Sequence, residues 1–432
     1  MTARRFLRMA AACAMLAAAA AAVAAPAPLA ARLDGAPIYA STVDTLWQQR
    51  RASKPALERR AVLDELILNR LLALHAPDEQ AGLKVAFAPD VMAEERLVAA
   101  LHEVYGKEID AAIRALPRGT MESLVTAQAP IPKPQLEAVF SGPGPLLLEI
   151  ALTEKQQALA SRVEVLRYQL PGAKPASISL FDVYHRQNVQ GRLALSQRPA
   201  SFAARQARHI LANAFVLHWA GERFGDAAVA DLRKALADGE AVAALQQQYG
   251  VGLDTDAGSP VLNRLAKETT PEEIEDFYKQ HMNLFSRIDK VRARHIRLAD
   301  EAQALRAVKA LKDGAGFAAT ARRMSRAADA AQGGDLGWIS ADGSKDWLAS
   351  LAFSQEPGQP SAAIRAPVGP SEAAFWEIVL VEERVAGVHP LQSETVRYQA
   401  SRMIAQKKAT QQLAAMIEQA RNAANIEIVE AK

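Results

Sequence analysis

The chain has 432 residues, half of them hydrophobic, so it can bury the cores of two or three domains. Its 51 basic and 48 acidic residues nearly balance, and three of the arginines lie in the first 24 residues, where no acidic residue occurs. The rest of the chain is therefore close to neutral, which argues against a nucleic-acid partner bound through a basic surface.

The segment Met1–Ala24 is predicted to be a secretory signal peptide. A basic start is followed by an apolar run of small residues, and Ala22–Ala24 offers a cleavage site. The alternative is a short transmembrane anchor, but the run is brief and weakly hydrophobic for a membrane span. Cys13, the single cysteine, would leave with the signal, so the mature chain would form no disulfide. We expect an exported, periplasmic protein with no integral membrane segment after cleavage.

Residues 25–129 are predicted to form a mostly helical domain. Ala30–Ile38 has the pattern of a short strand with a glycine turn. Apolar residues recur at helical spacing in Ala56–His75, and Val91–Leu116 has the pattern of another long helix.

Residues 130–261 are predicted to form a second helical region, for which the sequence indicates no role. Clusters of proline and glycine at Pro130–Pro134 and Ser141–Pro145 mark turns or a boundary. Thr153, followed three residues later by a glutamine, is predicted to cap a helix. Val163–Tyr168 either extends that helix or forms a strand. Helical spacing then covers most of Ile178–Phe224 and Ala227–Gly250.

Residues 262–289 are expected to form a connecting helix. Thr270 starts it as the N-cap, with a proline in the first turn and a glutamate three residues after the cap. Over residues 290–387 the hydrophobic period changes repeatedly and predicts a compact α+β unit in the order β-α-α-β-α-β. The segments are Val291–Leu298, Glu301–Lys312, Phe317–Met324, Asp335–Ile339, Trp347–Phe353 and Ala374–Val381.

Residues 388–432 complete the chain with a long helix over Leu391–Ala424 and a terminal strand at Ile426–Val429. We expect this helix to pack on the N-terminal body. The terminal strand is expected to pair beside Arg32–Ile38, which would bring the two ends of the chain together.

The string Gly333–Trp338 is the most specific pattern in the chain. It lies about forty residues after Ala293–Ile296, and Phe375–Glu383 follows as a closing strand. This ordered set resembles a parvulin-type (PpiC) peptidyl-prolyl isomerase domain, and the flanking helices resemble those of secreted SurA- and PrsA-like foldases. The resemblance implies a mostly helical, chaperone-like N-terminal body, one parvulin-like domain and a C-terminal helix.

The resemblance also assigns positions in the site, and the chain departs from the family at most of them. Parvulins use two histidines, a cysteine or aspartate between them, and a methionine and phenylalanine pocket for proline. His295 takes the first histidine position, but Glu377 stands at the second and Ala327 at the cysteine or aspartate position. The pocket positions fall on Ser344 and Leu348.

The remaining candidates follow from the same comparison. If activity is retained, Trp347, Leu348 and Phe353 would hold the proline beside His295. His295 itself is either catalytic or a hydrogen-bonding residue within the domain. Glu377 is either a surface strand residue or a new partner of that histidine, which would raise the histidine's pKa. The glycines of the Gly333–Trp338 string are expected to serve backbone geometry, and its tryptophan is expected in the core.

Three functions remain open at this point. The first is a periplasmic peptidyl-prolyl isomerase that acts on X–Pro bonds of unfolded client proteins, since this isomerisation is slow enough to limit folding. The second is a catalytically inactive holdase chaperone, which the altered pocket favours. The third is a dedicated envelope or export assembly factor. All three imply extended client polypeptides as partners, and the sequence predicts neither a cofactor nor a metal site.

Overall fold

The structure is a computed structural model that describes residues 27–76, 87–128, 130–140, 151–197, 199–251, 259–343 and 346–429. The chain divides into two compact units, one drawn from Met1–Gly252 with Gln412–Lys432 and the other from Leu253–Gln411. The signal peptide expected within residues 1–24 lies outside the described residues. The narrower domain boundaries expected from the sequence stay predictions.

The first unit begins with a strand hairpin and three helices. Asp34 and Gly35 both have positive φ, 49° and 81°, and form the tight turn between the strands. The apolar positions of Ala56–His75 do form one buried helix face, as their spacing predicted. The elements are β1 (Leu29–Leu33), β2 (Ala36–Tyr39), α1 (Ala40–Arg51), α2 (Arg59–Leu72) and α3 (Pro89–Arg114).

The unit continues with a small antiparallel sheet and further helices. The strand order is β3-β4-β5. The elements are β3 (Val125–Ala127), α4 (Lys133–Phe140), α5 (Glu154–Arg162), β4 (Glu164–Tyr168), β5 (Ala176–Ser179), α6 (Leu180–His185), α7 (Val189–Gln197), α8 (Pro199–Phe224) and α9 (Asp226–Gln248).

The helix start predicted at Thr153 is confirmed. The Gln156 N–H donates to Thr153 Oγ1 at 3.3 Å, and the Thr153 N–H donates to Gln156 Oε1 at 2.9 Å, which is a complete capping box. The open alternative for Val163–Tyr168 is decided in favour of a strand, because β4 begins one residue after the α5 C-cap at Val163.

Two apolar clusters form most of the core of this unit, and α8 contributes to both. Its residues up to Phe215 pack with β4, β5 and α6, whereas those from Val216 onward pack with α1, α2, α3 and α9. One long helix therefore joins the two cores, so disturbing it would loosen both.

The second unit contains a four-stranded antiparallel sheet in the order β7-β6-β9-β8. Its β-α-α-β-α-β order is the predicted one, with a two-residue strand added before the last. The elements are α10 (Pro260–Lys267), α11 (Pro271–Gln280), β6 (Ser286–Leu298), α12 (Glu301–Lys312), α13 (Phe317–Met324), β7 (Asp335–Ser340), α14 (Trp347–Ser354), β8 (Ile364–Arg365) and β9 (Trp376–Val388).

Two helical features of the second unit agree with the sequence pattern. Thr270 caps α11 in a full capping box with Glu273. The final helix, α15 (Glu394–Ala423), begins in this unit and ends within the first unit, where β10 (Ile426–Ile428) pairs with β1. In that antiparallel pair Ile428 lies opposite Ala31, so the terminal strand and the first strand share one sheet.

Side chains on β6 alternate between the two faces of the four-stranded sheet. Val291 and Ala293 pack with α14 on one face, whereas Ile296 and Leu298 pack with α12 and α13 on the other. By this alternation His295 shares the α14 face.

Candidate functional site

His295 lies near the C-terminal end of β6, opposite Val379 of β9, and only 4% of its surface is exposed. The backbone N–H of His295 donates a hydrogen bond to the Gly334 carbonyl at 2.8 Å. A Cβ on Gly334 would lie 2.0 Å from the His295 carbonyl oxygen, and Gly334 has a φ of +68°. Only glycine permits this close approach, so the Gly333–Trp338 string helps to hold the histidine in its position.

Both ring nitrogens of His295 contact carboxylates. Nδ1 lies 2.9 Å from Glu377 Oε2, and Nε2 lies 3.0 Å and 3.1 Å from the two oxygens of Asp329. An ionised carboxylate accepts hydrogen bonds and donates none, so each nitrogen must supply a proton. This arrangement therefore fits the doubly protonated imidazolium.

The charge of the surroundings determines the pKa of His295. Burial lowers this pKa, but the hydrogen bond and negative charge of Glu377, together with those of Asp329, outweigh burial and raise it above the ordinary value. The raised pKa favours the charged form of the histidine between the two carboxylates.

Glu377 is fully buried and joins the histidine to a second cation. Its Oε1 accepts a hydrogen bond from Arg297 Nε at 2.6 Å, and the Arg297 guanidinium lies 4.4 Å from the centre of the Phe375 ring. The interpretation of Glu377 as a surface strand residue is wrong, and the alternative pairing with His295 is present. With Asp329, the four groups form a charge-balanced cluster of two cations and two anions.

Asp329 and Arg297 are members of this cluster that the sequence did not indicate. By the family resemblance the acidic position falls on Ala327, which has no carboxylate, but Asp329 supplies one to His295 from two residues further along. The Gly334 N–H holds this segment by donating to the Asp329 carbonyl at 3.0 Å. The position of Asp329 shortly before the glycines was the sequence signal that could have indicated this carboxylate.

The candidate proline-binding residues differ in their surroundings. Leu348 and Phe353 are half-buried and pack against the apolar cluster on the α14 face, which contains Val379. Trp347 is half-buried at the start of α14 but is not part of that cluster. Ser344 lies outside the described residues. The structure therefore brings Leu348 and Phe353 onto the sheet face that carries His295.

Trp338 was expected in the core, and this prediction is wrong. Its surface is 48% exposed. Trp338 lies on β7, an edge strand of the sheet, and faces Arg292 of the neighbouring strand β6. Gly337, the residue before Trp338, has a φ of +66°, and the pairing of β6 with β7 shifts register just before this point. This irregular backbone decides which face of the sheet the indole lies on.

The comparisons with known proteins agree with this architecture. Residues 284–383 match the Rotamase family model, described as the PPIC-type PPIASE domain. The chain therefore carries a parvulin-type rotamase domain, which by family resemblance is a peptidyl-prolyl isomerase domain. Part of the chain is SurA- and PrsA-like.

Three relatives illustrate the extent of the similarity. Chaperone SurA of Nitrosospira multiformis is 31% identical over 149 residues, which are 32% of this chain and 32% of that protein. Foldase protein PrsA of Bacillus subtilis is 36% identical over 81 residues, 18% of this chain and 28% of that protein. A crystal structure of a PpiC-type peptidyl-prolyl cis-trans isomerase domain is 34% identical, with a TM-score of 0.19, and covers 24% of this chain and 97% of that one. The chain thus spans about a third of the length of the curated relatives it matches.

Among the residues that the structure describes, no helix is both long and apolar enough to cross a membrane.

Proposed function

We propose that this protein is an exported foldase that holds extended segments of unfolded polypeptides in the periplasm. Its rotamase domain serves as a binding platform for X–Pro segments, with isomerisation a minor activity. The observation that carries this proposal is the burial of His295 between Glu377 and Asp329, with both ring nitrogens in use.

Proline isomerisation is catalysed in an environment that keeps the X–Pro amide away from water. Rotation about the peptide bond has a barrier of about 18–20 kcal/mol, and an apolar pocket lowers it by taking the amide out of water. Here the family's histidine position is occupied by a cluster of four charged groups. Asp329 and Arg297, the two partly exposed members of the cluster, keep water and hydrogen-bonding groups at this position, so an X–Pro amide beside them would stay solvated.

The remaining apolar face supports binding. Leu348 and Phe353 are half-buried on the same sheet face, and their exposed parts offer contact for a proline ring or another apolar side chain. The signal-like Met1–Ala24 segment supports export, and the similar proteins are named a chaperone and a foldase. Holding an extended client through main-chain hydrogen bonds and shallow pockets needs no nucleotide.

Two assays on the mature full chain test this proposal. We expect it to suppress aggregation of a chemically unfolded client at equimolar concentration, and to change the rate of a proline-limited refolding reaction by less than twofold. His295→Ala should leave the refolding rate unchanged. Substoichiometric acceleration of refolding that His295→Ala abolishes would instead establish an efficient isomerase.

A further inference from the structure

Helices α12 and α13 form one outer face of the second unit. Both pack on the same face of the four-stranded sheet, where Ala304 of α12 and Ala321 of α13 belong to one buried cluster with strand residues. Side chains on the opposite side of each helix therefore point away from the sheet and share one surface. We call this surface the α12–α13 face, and its exposed residues include Leu305, Arg306, Lys312, Arg322, Arg323 and Arg326.

The α12–α13 face concentrates positive charge. Residues 301–326 contain six basic and two acidic residues, although the chain after residue 24 is close to neutral. Lys309 pairs with Asp313 at 2.7 Å, whereas the other five basic residues of this segment form no ion pair with any residue that the structure describes. Because these five cations have no anion within the described protein, the face attracts anions from outside it.

Three of the cations lie close together at the end of α13. Arg322 and Arg323 are in its last turn, on the side opposite the buried Phe317. Arg326 follows two residues after the helix, and its backbone is held by the hydrogen bond from its N–H to the Arg297 carbonyl at 2.8 Å. A guanidinium stays charged and presents several donors in one plane, which suits the oxygens of a phosphate group. The cluster therefore fits a surface of phosphate groups.

Leu305 narrows the class of partner. This leucine is 59% exposed on α12, next to Arg306 and one turn before Lys309. Water-exposed aliphatic surface beside basic residues is typical of proteins that lie on an anionic bilayer, where the cations meet the headgroups and the apolar side chain enters the acyl boundary. A strongly acidic polypeptide would pair with the cations but would offer no apolar contact to the leucine.

The position of this face leaves the candidate proline-binding face free. Helix α14, with Leu348 and Phe353, packs on the other side of the sheet. A flat partner on the α12–α13 face would therefore not cover those two residues.

From these observations we infer that the α12–α13 face binds the surface of a bilayer that contains anionic phospholipids. The arginines at the end of α13 contact the lipid phosphates, and Leu305 enters the headgroup region. The contact is peripheral and reversible. It goes beyond the proposed foldase activity, because it uses neither the His295 cluster nor a client polypeptide.

The test is co-sedimentation of the mature full chain with vesicles of phosphatidylcholine that contain about a third phosphatidylglycerol. We expect binding at about 0.1 M salt, at least tenfold weaker binding to pure phosphatidylcholine, and release at about 0.5 M salt, where the attraction between exposed charges is screened. The triple variant Arg322→Ala, Arg323→Ala, Arg326→Ala should weaken binding at least tenfold. Leu305→Ser keeps every charge and should weaken binding about threefold.

The matched control removes the same charge from another part of the chain. The triple variant Arg114→Ala, Arg233→Ala, Arg421→Ala truncates three exposed arginines on helices of the first unit. It should bind anionic vesicles within twofold of wild type. All the substituted side chains are exposed, so each variant should keep its midpoint of thermal unfolding within a few degrees, about the effect expected of surface substitutions.

Three outcomes would overturn the inference. Equal losses in the two triple variants would mean that binding follows total charge and not the α12–α13 face. Wild-type binding to pure phosphatidylcholine as tight as to anionic vesicles would exclude the arginines as the contact. A poly-glutamate peptide that binds at this face while anionic vesicles do not would assign the face to acidic polypeptides.

Discussion

Gly334→Ala is expected to destabilise the rotamase domain by about 2–3 kcal/mol, or to prevent its folding. The new Cβ would lie 2.0 Å from the His295 carbonyl oxygen, so the two backbone segments must separate. Separation breaks the hydrogen bond from the His295 N–H to the Gly334 carbonyl, worth about 1 kcal/mol, and alanine at positive φ adds about 1–2 kcal/mol. Hydrogen exchange of the β6 amides, followed by mass spectrometry on the full chain, measures the loss of local stability.

Gly337→Ala distinguishes the clash from the backbone strain. Gly337 has nearly the same φ, +66°, but its Cβ position has no neighbour within 4 Å. We expect this control to lower stability by about 1–2 kcal/mol, from the positive φ alone. If the two variants exchange β6 amides at equal rates, the close approach between Gly334 and His295 is not what holds the histidine.

Glu377→Gln is expected to lower the stability of the same domain by about 3 kcal/mol. Glu377 is fully buried and lies between the cations of His295 and Arg297, so the neutral amide would leave the buried imidazolium with Asp329 as its one carboxylate and would remove the anion of the partly exposed Arg297. Exchange of the β9 amides in the full chain measures the effect. Glu356→Gln is the matched control, because Glu356 pairs with Arg384 at the surface and should contribute about 0.5 kcal/mol or less.

The pH dependence of the same exchange gives a second readout. The folded domain raises the pKa of His295, so the stability from its charged pairs is complete below the ordinary histidine pKa of about 6.5 and is lost as pH rises through the folded pKa. The protection of wild-type amides against exchange should therefore fall as pH rises above about 6.5. Glu377→Gln should lose most of this dependence, and an unchanged pH profile in the variant would contradict the assigned pairing.

The local elements of the fold were predictable where short-range chemistry decides them. The capping boxes at Thr153 and Thr270 depend on residues three apart, and both formed. The Gly333–Trp338 string identified the rotamase domain, because its glycines adopt positive φ that other residues rarely adopt. Strand β9 was predicted to end at Val381 and instead continues to Val388, since pairing with β6 extends it through polar residues.

The composition of the site could be predicted only in part. The His295–Glu377 pair follows from aligning two strands, so the sequence could propose it. The contact of Asp329 depends on the path of the chain between α13 and β7, where the Arg326 N–H donates to the Arg297 carbonyl at 2.8 Å. The spacing of apolar residues in the sequence gives no information about such a path. The exposure of Trp338 depends likewise on a register shift between strands.

We propose that His295 is an imidazolium held between two carboxylates and that this makes the domain a binding platform. The measurement that tests it most directly is a ring-nitrogen NMR titration of the ¹⁵N-histidine-labelled full chain, assigned with His295→Ala. We predict that both ring nitrogens of His295 carry protons at pH 7.5 and that one is lost only above the ordinary pKa of about 6.5. A neutral ring at pH 7.5, with one unprotonated nitrogen, would contradict the account and leave His295 free to act on an X–Pro bond.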